Sequence, residues 1–153
     1  MSTTEHTARL DAPPAVVYAA LLDPQLIPRW RVPTGMRCLV HEFEAHEGGA
    51  FRVSLTYDAP DAQGKSSAHT DTYHGTFEQL IPNERVVERL EFETTDPQMQ
   101  GEMRVTTHLA PDGPGTLLTA VHENLPPGVA PTDNELGWRQ SLAKLAALLR
   151  PAP

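Results

Sequence analysis

The sequence predicts an α+β fold in which a curved antiparallel sheet wraps around one long C-terminal helix. Two observations predict it. Apolar residues within 132–150 recur at spacings of four, three and four, the spacing of one stripe of an α-helix, at Trp138, Leu142, Leu145 and Leu149. Much of the remaining chain alternates polar and apolar residues in short stretches separated by turn residues, as half-buried strands do. Strands in succession with helices segregated to the ends of the chain are typical of the α+β class.

The long helix has start and stop signals of its own. Thr132 followed by Glu135 has the spacing of a capping box, and Pro131 and Pro151 punctuate the two ends. Further apolar residues widen the stripe, namely Leu136, Ala143, Ala146, Ala147 and Leu148. A helix of about nineteen residues is about 28 Å long, so it needs a large partner surface, which the strands can supply. We therefore expect a pocket between this helix and the sheet.

The N-terminal part predicts one strand and one or two short helices. Residues 3–10 read as a first strand at an edge of the sheet. Pro13 and Pro14 suit the first turn of a helix that continues through Leu21. Asp23 followed by a proline predicts a second short helix over residues 24–31, with Leu26 and Trp30 on one face.

Six further strands are predicted between these helices and the last one. Their ranges are 36–44, 50–57, 68–81, 85–94, 102–109 and 116–123. Glycines in the segment 47–49 predict a tight turn, and residues 58–67 predict a polar hairpin loop. The expected sheet therefore has seven strands, and residues 1–153 are expected to form a single domain.

Composition excludes several classes of function. The formal net charge is −8 and the pI is near 5.3, which disfavours a nucleic-acid or anionic-membrane surface. No apolar run approaches the roughly twenty residues of a membrane span, and the N-terminus lacks the pattern of a secretory signal. The single cysteine, Cys38, allows no intrachain disulfide, so we expect a cytoplasmic protein with Cys38 as a small packed hydrophobe.

Several segments together resemble a known family. These are residues 12–24 (APPAVVYAALLDP), 47–52 (EGGAFR), 74–87 (HGTFEQLIPNERVV), 115–126 (GTLLTAVHENLP) and the Gly-Trp pair 137–138 with the leucines that follow it. In this order, over roughly residues 8–150, they resemble the activator-of-Hsp90-ATPase-like (AHSA1-like) branch of the START/Bet v 1-like superfamily, also called SRPBCC.

The resemblance implies a helix-grip fold, with a seven-stranded antiparallel sheet around a long C-terminal helix and a mostly apolar cavity. It implies a small apolar or amphipathic ligand, since members of the superfamily bind lipids, sterols, polyketides or plant hormones. Some members are cyclases or aromatases. The eukaryotic namesake binds its chaperone through a further N-terminal domain with no counterpart here, which argues against Hsp90 stimulation. We expect a monomer or homodimer with no membrane insertion.

Candidate site residues follow from the strand faces and the helix stripe. His69, Asp71 and Tyr73 share the face of Phe77 and could perform acid–base chemistry in the cavity, or else form a polar strand end near solvent. The candidate ligand contacts are Trp30, Phe51, Val53, Leu55, Tyr73, Phe77, Trp138 and Leu142. Trp138 heads the helix stripe and is expected to pack on the sheet, with ligand stacking as the alternative. Trp30 is a candidate for the cavity entrance. The acidic residues Glu88, Glu91 and Glu93 are expected to form a solvated face. No spacing predicts a metal site, and no cofactor motif is present.

Three functions stay open at this stage. The first is binding of a small hydrophobic or amphipathic molecule without chemistry. The second is a polyketide cyclase or dehydratase-like enzyme that uses the polar groups of the same cavity. The third is a chaperone-associated or regulatory interaction module. We favour the first, because an apolar pocket with a few placed polar groups is the usual form of a small-molecule site.

Overall fold

The computed structural model describes residues 2–58 and 70–151. The elements within these ranges are β1 Ser2–Leu10, α1 Pro14–Leu21, α2 Ile27–Trp30, β2 Met36–Phe43, β3 Ala50–Tyr57, β4 Thr70–Ile81, β5 Arg85–Phe92, β6 Met103–Asp112, β7 Gly115–Leu125 and α3 Pro131–Leu148. The predicted element order is confirmed, with most bounds within two or three residues. Residues 59–67 of the predicted loop, and residues 68 and 69 of the predicted fourth strand, lie outside the described residues.

The seven described strands form one antiparallel sheet in the order β1-β7-β6-β5-β4-β3-β2. Strands β2 to β7 run as consecutive neighbours, and β1 closes the series by pairing with β7. The first strand is therefore an edge strand, as predicted, and β2 forms the other edge. Irregular pairing between Val40 and Glu42 and between Phe77 and Gln79 interrupts the register, and such bulges bend a strand.

The turn between β2 and β3 depends on glycine. Gly48 has a φ of 81°, a left-handed conformation that side chains with a Cβ rarely adopt. Its N–H donates to the carbonyl of Phe77 at 2.8 Å, so this turn also fastens the start of β3 to β4. The second short helix is shorter than predicted. Asp23 accepts from the N–H of Gln25 as a capping residue would, but residues 24–26 form a turn before α2 begins at Ile27.

The capping box predicted for the long helix is not formed. Helix α3 begins one residue earlier, at Pro131, with Ala130 as its N-cap and no side-chain cap. Thr132 therefore lies inside the first turn, where its hydroxyl cannot accept at an N-cap. The packed stripe is also narrower than predicted. Leu142 and Leu145 are buried, but three predicted members are exposed, namely Leu136, Ala143 and Ala147.

Polar contacts fasten α3 along both of its sides. On one side the amide nitrogen of Asn134 donates to Oγ1 of Thr4 on β1 at 2.9 Å. On the other side, Nζ of Lys144 donates to the carbonyl of Val32 at 2.6 Å, in the segment after α2. The helix packs closely against β1 and α2. Among the described residues, no helix is long and apolar enough to cross a membrane.

Candidate functional site

A cleft of about 660 Å³ lies between the N-terminal half of α3 and the inner face of the sheet. Apolar side chains make up much of its wall, including Leu55, Met99, Met103, Val105, Leu136 and Trp138. Polar side chains also reach it, including Arg31, Asp71, Tyr73, His122, Asn134 and Ser141. The volume is within the range of about 300–1,000 Å³ that small-molecule sites occupy.

A buried ion pair stands beside the cleft. Nη1 of Arg31, directly after α2, donates to both carboxylate oxygens of Glu88 on β5, at 2.9 and 3.1 Å. The exposed fractions of the two side chains are only 12% and 5%. Burial, the largest single influence, would lower the pKa of Arg31, but Glu88 and further neighbours outweigh it and raise that pKa above its ordinary value. The guanidinium is therefore charged at any physiological pH, and its charge is balanced within the protein.

The expectation that Glu88 belongs to a solvated acidic face is wrong. Glu88 pairs with Phe77 of β4 and Val105 of β6, both of which are buried, so it lies on the inner face of the sheet. The alternation of β5 already contains this signal, since Glu88 lies midway between Val86 and Leu90, two residues from each. Glu88 was assigned to the exposed face because its side chain is charged.

Two aromatic rings lie against the same guanidinium. Cζ of Arg31 is 5.2 Å from the ring centroid of Trp138 and 5.7 Å from that of Tyr73, distances at which cation–π attraction operates. Burial raises the pKa of Tyr73 to about 12, although the nearby Arg31 opposes the change. Burial likewise raises the pKa of Cys38 to about 11. Tyr73 can therefore donate a hydrogen bond near neutral pH but cannot serve as a base, and Cys38 is not a thiolate.

A buried histidine of β7, His122, also lines the cleft. The ring of His122 lies edge-on to Trp138, with centroids 4.6 Å apart. The amide nitrogen of Asn134 on α3 lies 3.1 Å from Nδ1 of His122, and because an amide nitrogen only donates, Nδ1 is the acceptor. Burial, with smaller effects of Arg31 and His6, lowers the pKa of His122 to about 3. The imidazole is therefore neutral and carries its proton on Nε2.

The sequence-predicted site residues divide between the cleft and the core. Leu55, Tyr73, Trp138 and Asp71 line the cleft. The other predicted ligand contacts do not, because they are packed inside the protein: Trp30, Phe51, Val53, Phe77 and Leu142. Trp30 packs edge-on against Trp138, with centroids 6.3 Å apart, rather than standing at the cavity entrance. His69 lies outside the described residues. Among the described residues, no group of three or more His, Cys, Asp or Glu side chains could hold a metal ion.

Comparison with known proteins identifies the family. A family model described as activator of Hsp90 ATPase homolog 1-like protein matches residues 11–150. The chain belongs to this family. The resemblance inferred from the sequence motifs is thereby confirmed, and so is the helix-grip fold. No curated protein matches the chain.

Solved structures share the architecture of this activator-of-Hsp90-ATPase-like chain. A protein of Chromobacterium violaceum is 35% identical, with 98% of both chains covered and a TM-score of 0.88. A protein of Rhodobacter sphaeroides is 24% identical over 97% of this chain and 91% of its own, with a TM-score of 0.79. An AHSA1 protein of Silicibacter pomeroyi is 18% identical over 97% of each chain, with a TM-score of 0.79. The last two likenesses show the fold alone.

Within this family member, sequence reasoning missed His122 as well as Glu88. The alternation of β7 could have found it, because His122 has the same parity as Leu118 and Ala120, both of which are completely buried. From its residue type alone, Arg31 could be a surface cation or a clamp for a ligand carboxylate. Its partner is instead a protein carboxylate, that of Glu88 on β5.

Proposed function

We propose that the protein binds a small, mostly apolar molecule in the cleft between α3 and the sheet. The observation that carries the proposal is the cleft itself, a space of about 660 Å³ lined by apolar side chains with polar side chains fixed among them. Burial of apolar ligand surface contributes about 25 cal/mol per Å². The polar groups would set the orientation of the ligand rather than its affinity.

The fastening of α3 supports a preformed site. The amide of Asn134 joins the helix to Thr4 and His122 on one side, while Gln140 accepts from the N–H of Thr34 on the other at 3.0 Å. A ligand would enter a cleft whose walls are already held apart, so little ordering free energy is needed on binding.

A matched pair of leucine variants tests this proposal. Leu55 lines the cleft, whereas Leu39 on the edge strand β2 is 60% exposed and lies outside it. The fluorescence of N-phenyl-1-naphthylamine rises when the dye enters an apolar site, so it reports occupancy. We expect saturable binding by the native protein, binding weakened at least about tenfold by Leu55→Trp, which places an indole in the cleft, and unchanged binding by Leu39→Trp.

Thermal unfolding of both variants would show that each is folded. Where Leu55→Trp does not fold, backbone amide NMR shifts of the native protein on dye addition replace it. Shifts at cleft residues support the proposal. The absence of saturable dye binding, or equal losses in the two variants, would overturn it.

The acid–base enzyme and the interaction module are the alternative predictions from the sequence. Two of the three acid–base candidates, Asp71 and Tyr73, line the cleft. The raised pKa of Tyr73 favours donation to a bound oxygen over proton abstraction. We therefore favour ligand binding over acid–base catalysis, with hydrogen-bond donors that orient the ligand.

A further inference from the structure

His122, a residue that lines the cleft, has one buried donor without a protein partner in the described part of the chain. Nε2 of His122 has no hydrogen-bond partner among the residues that the structure describes, although the side chain is only 2% exposed and lines the cleft. Nδ1 accepts from Asn134, so the proton is on Nε2. A buried N–H group left without an acceptor carries a desolvation penalty, and an acceptor that enters the cleft would remove it.

The charges around the cleft disfavour a negatively charged acceptor. The one cation among the described lining residues is Arg31, and Glu88 already neutralises it with two hydrogen bonds. The same described lining contains two exposed carboxylic acids, Asp96 and Asp133. An incoming carboxylate would lose water without gaining a free cation, and it would face like charges. A neutral oxygen acceptor has neither disadvantage.

We infer that the cleft selects a neutral, mostly apolar ligand with a carbonyl oxygen that accepts a hydrogen bond from Nε2–H of His122. This inference rests on the proposed function, since it names the chemistry of a ligand in the same cleft. Trp138 lies against both the imidazole of His122 and the guanidinium of Arg31, so it holds the two groups in place beside the cleft. Asn134 fixes the tautomer that makes His122 a donor toward the ligand.

Three probes of one shape separate the contributions of hydrogen bonding and charge. They are 2-acetylnaphthalene, which offers a ketone oxygen, 2-isopropenylnaphthalene, which replaces that oxygen with carbon, and 2-naphthoate, which adds a negative charge. Each is titrated against the native protein by displacement of N-phenyl-1-naphthylamine. We expect the ketone to bind about tenfold more tightly than the alkene, because only the ketone satisfies the buried donor. We expect the carboxylate to bind more weakly than the ketone.

Histidine variants assign the preference to one residue. His122→Phe removes the donor and keeps a ring, so the ketone and the alkene should then bind within about twofold of each other. His122→Gln keeps an N–H donor at the end of the side chain and should restore part of the preference. The control is His41→Phe on β2, where the native ring is exposed and contacts Ser54, away from the cleft. This control should keep the full preference.

A spectroscopic measurement on the native protein does not depend on the folding of a variant. In protein labelled with ¹⁵N-histidine, His122 should be protonated at Nε2 and unprotonated at Nδ1, and the ketone should shift the Nε2 signal more than the alkene does. Binding of all three probes with equal affinity, or a ketone preference that survives in His122→Phe, would overturn this inference and leave the proposed function standing. Failure of every probe and of the dye to bind would overturn both.

Discussion

Removal of one partner of the buried Arg31–Glu88 pair should destabilise the protein strongly. The substitution Glu88→Gln keeps the shape of the side chain and removes its charge. The exposed fractions of 12% and 5% show that little water can replace the lost partner. Breaking a buried pair by removing one charge typically costs about 3–5 kcal/mol, because the other charge stays buried without compensation. Each kcal/mol lowers the melting temperature of a chain of this size by about 2–4 °C, so we expect a decrease of about 6–20 °C.

An exposed pair at the end of the same strand provides the matched control. Glu93 follows β5 and accepts from Arg52 at 2.7 and 2.9 Å and from Nδ1 of His74 at 3.0 Å, but all three side chains are substantially exposed. The substitution Glu93→Gln should therefore lower the free energy of unfolding by less than about 1 kcal/mol. Urea unfolding followed by circular dichroism measures both changes on one scale.

The double substitution Arg31→Met with Glu88→Leu tests the reasoning most directly. Replacing both charges with apolar side chains leaves no buried ion, so the free energy of unfolding of the double variant should be within about 1–2 kcal/mol of the native value. That loss is much smaller than the sum of the losses expected for the single variants Arg31→Met and Glu88→Leu. Equal losses in Glu88→Gln and Glu93→Gln would refute the argument. A double variant as unstable as the sum of the two single variants would also refute it.

Three further predictions concern the core, the sheet and the pH dependence of stability. The substitution Leu145→Ala should cost about 2–5 kcal/mol in urea unfolding, since this side chain is completely buried against the sheet. A Cβ on Gly75 would lie 1.9 Å from the carbonyl oxygen of Arg89, so Gly75→Ala should lower stability by at least about 1–3 kcal/mol in the same assay. Because the folded pKa of His122 is about 3, below its ordinary value of 6.5, the stability contribution of this residue is complete above pH 6.5. It is lost as the pH falls from 6.5 toward 3, by up to about 5 kcal/mol, and His122→Phe should flatten that part of the stability–pH curve.

The sequence was sufficient for the elements of the fold because the strands obey a simple period. Strand β3 was predicted at residues 50–57 and is found there, since Phe51 and Val53 alternate with exposed or partly exposed neighbours and glycines mark the turn before it. The start of α3 was harder to predict from the sequence. A proline at N1 after an extended Ala130 competes with a Thr132 cap, and spacing alone does not show which of the two begins the helix.

The site was harder to predict, because its location depends on which part of the inner face the helix leaves uncovered. Strand alternation places Phe51 and Phe77 on that face, and they do point inward. However, they fill the space together with Phe43, with ring centroids 5.1 Å apart between Phe51 and Phe77 and 5.3 Å apart between Phe43 and Phe77. The open part of the face lies toward Leu55 and Tyr73 instead. The periodicity of a single strand does not show which part of the inner face is filled and which part stays open.

The size of side chains along α3 explains where the cleft forms. In its C-terminal half, Leu142 and Leu145 are buried and close the space against the sheet. At the cleft, α3 contributes Gly137 and Ser141, two small residues that leave space unfilled. The Arg31–Glu88 pair stands beside this gap, and a buried, hydrogen-bonded ion pair cannot be compressed into an apolar contact without loss of its partners. Small helix residues open the space, and the ion pair resists its collapse.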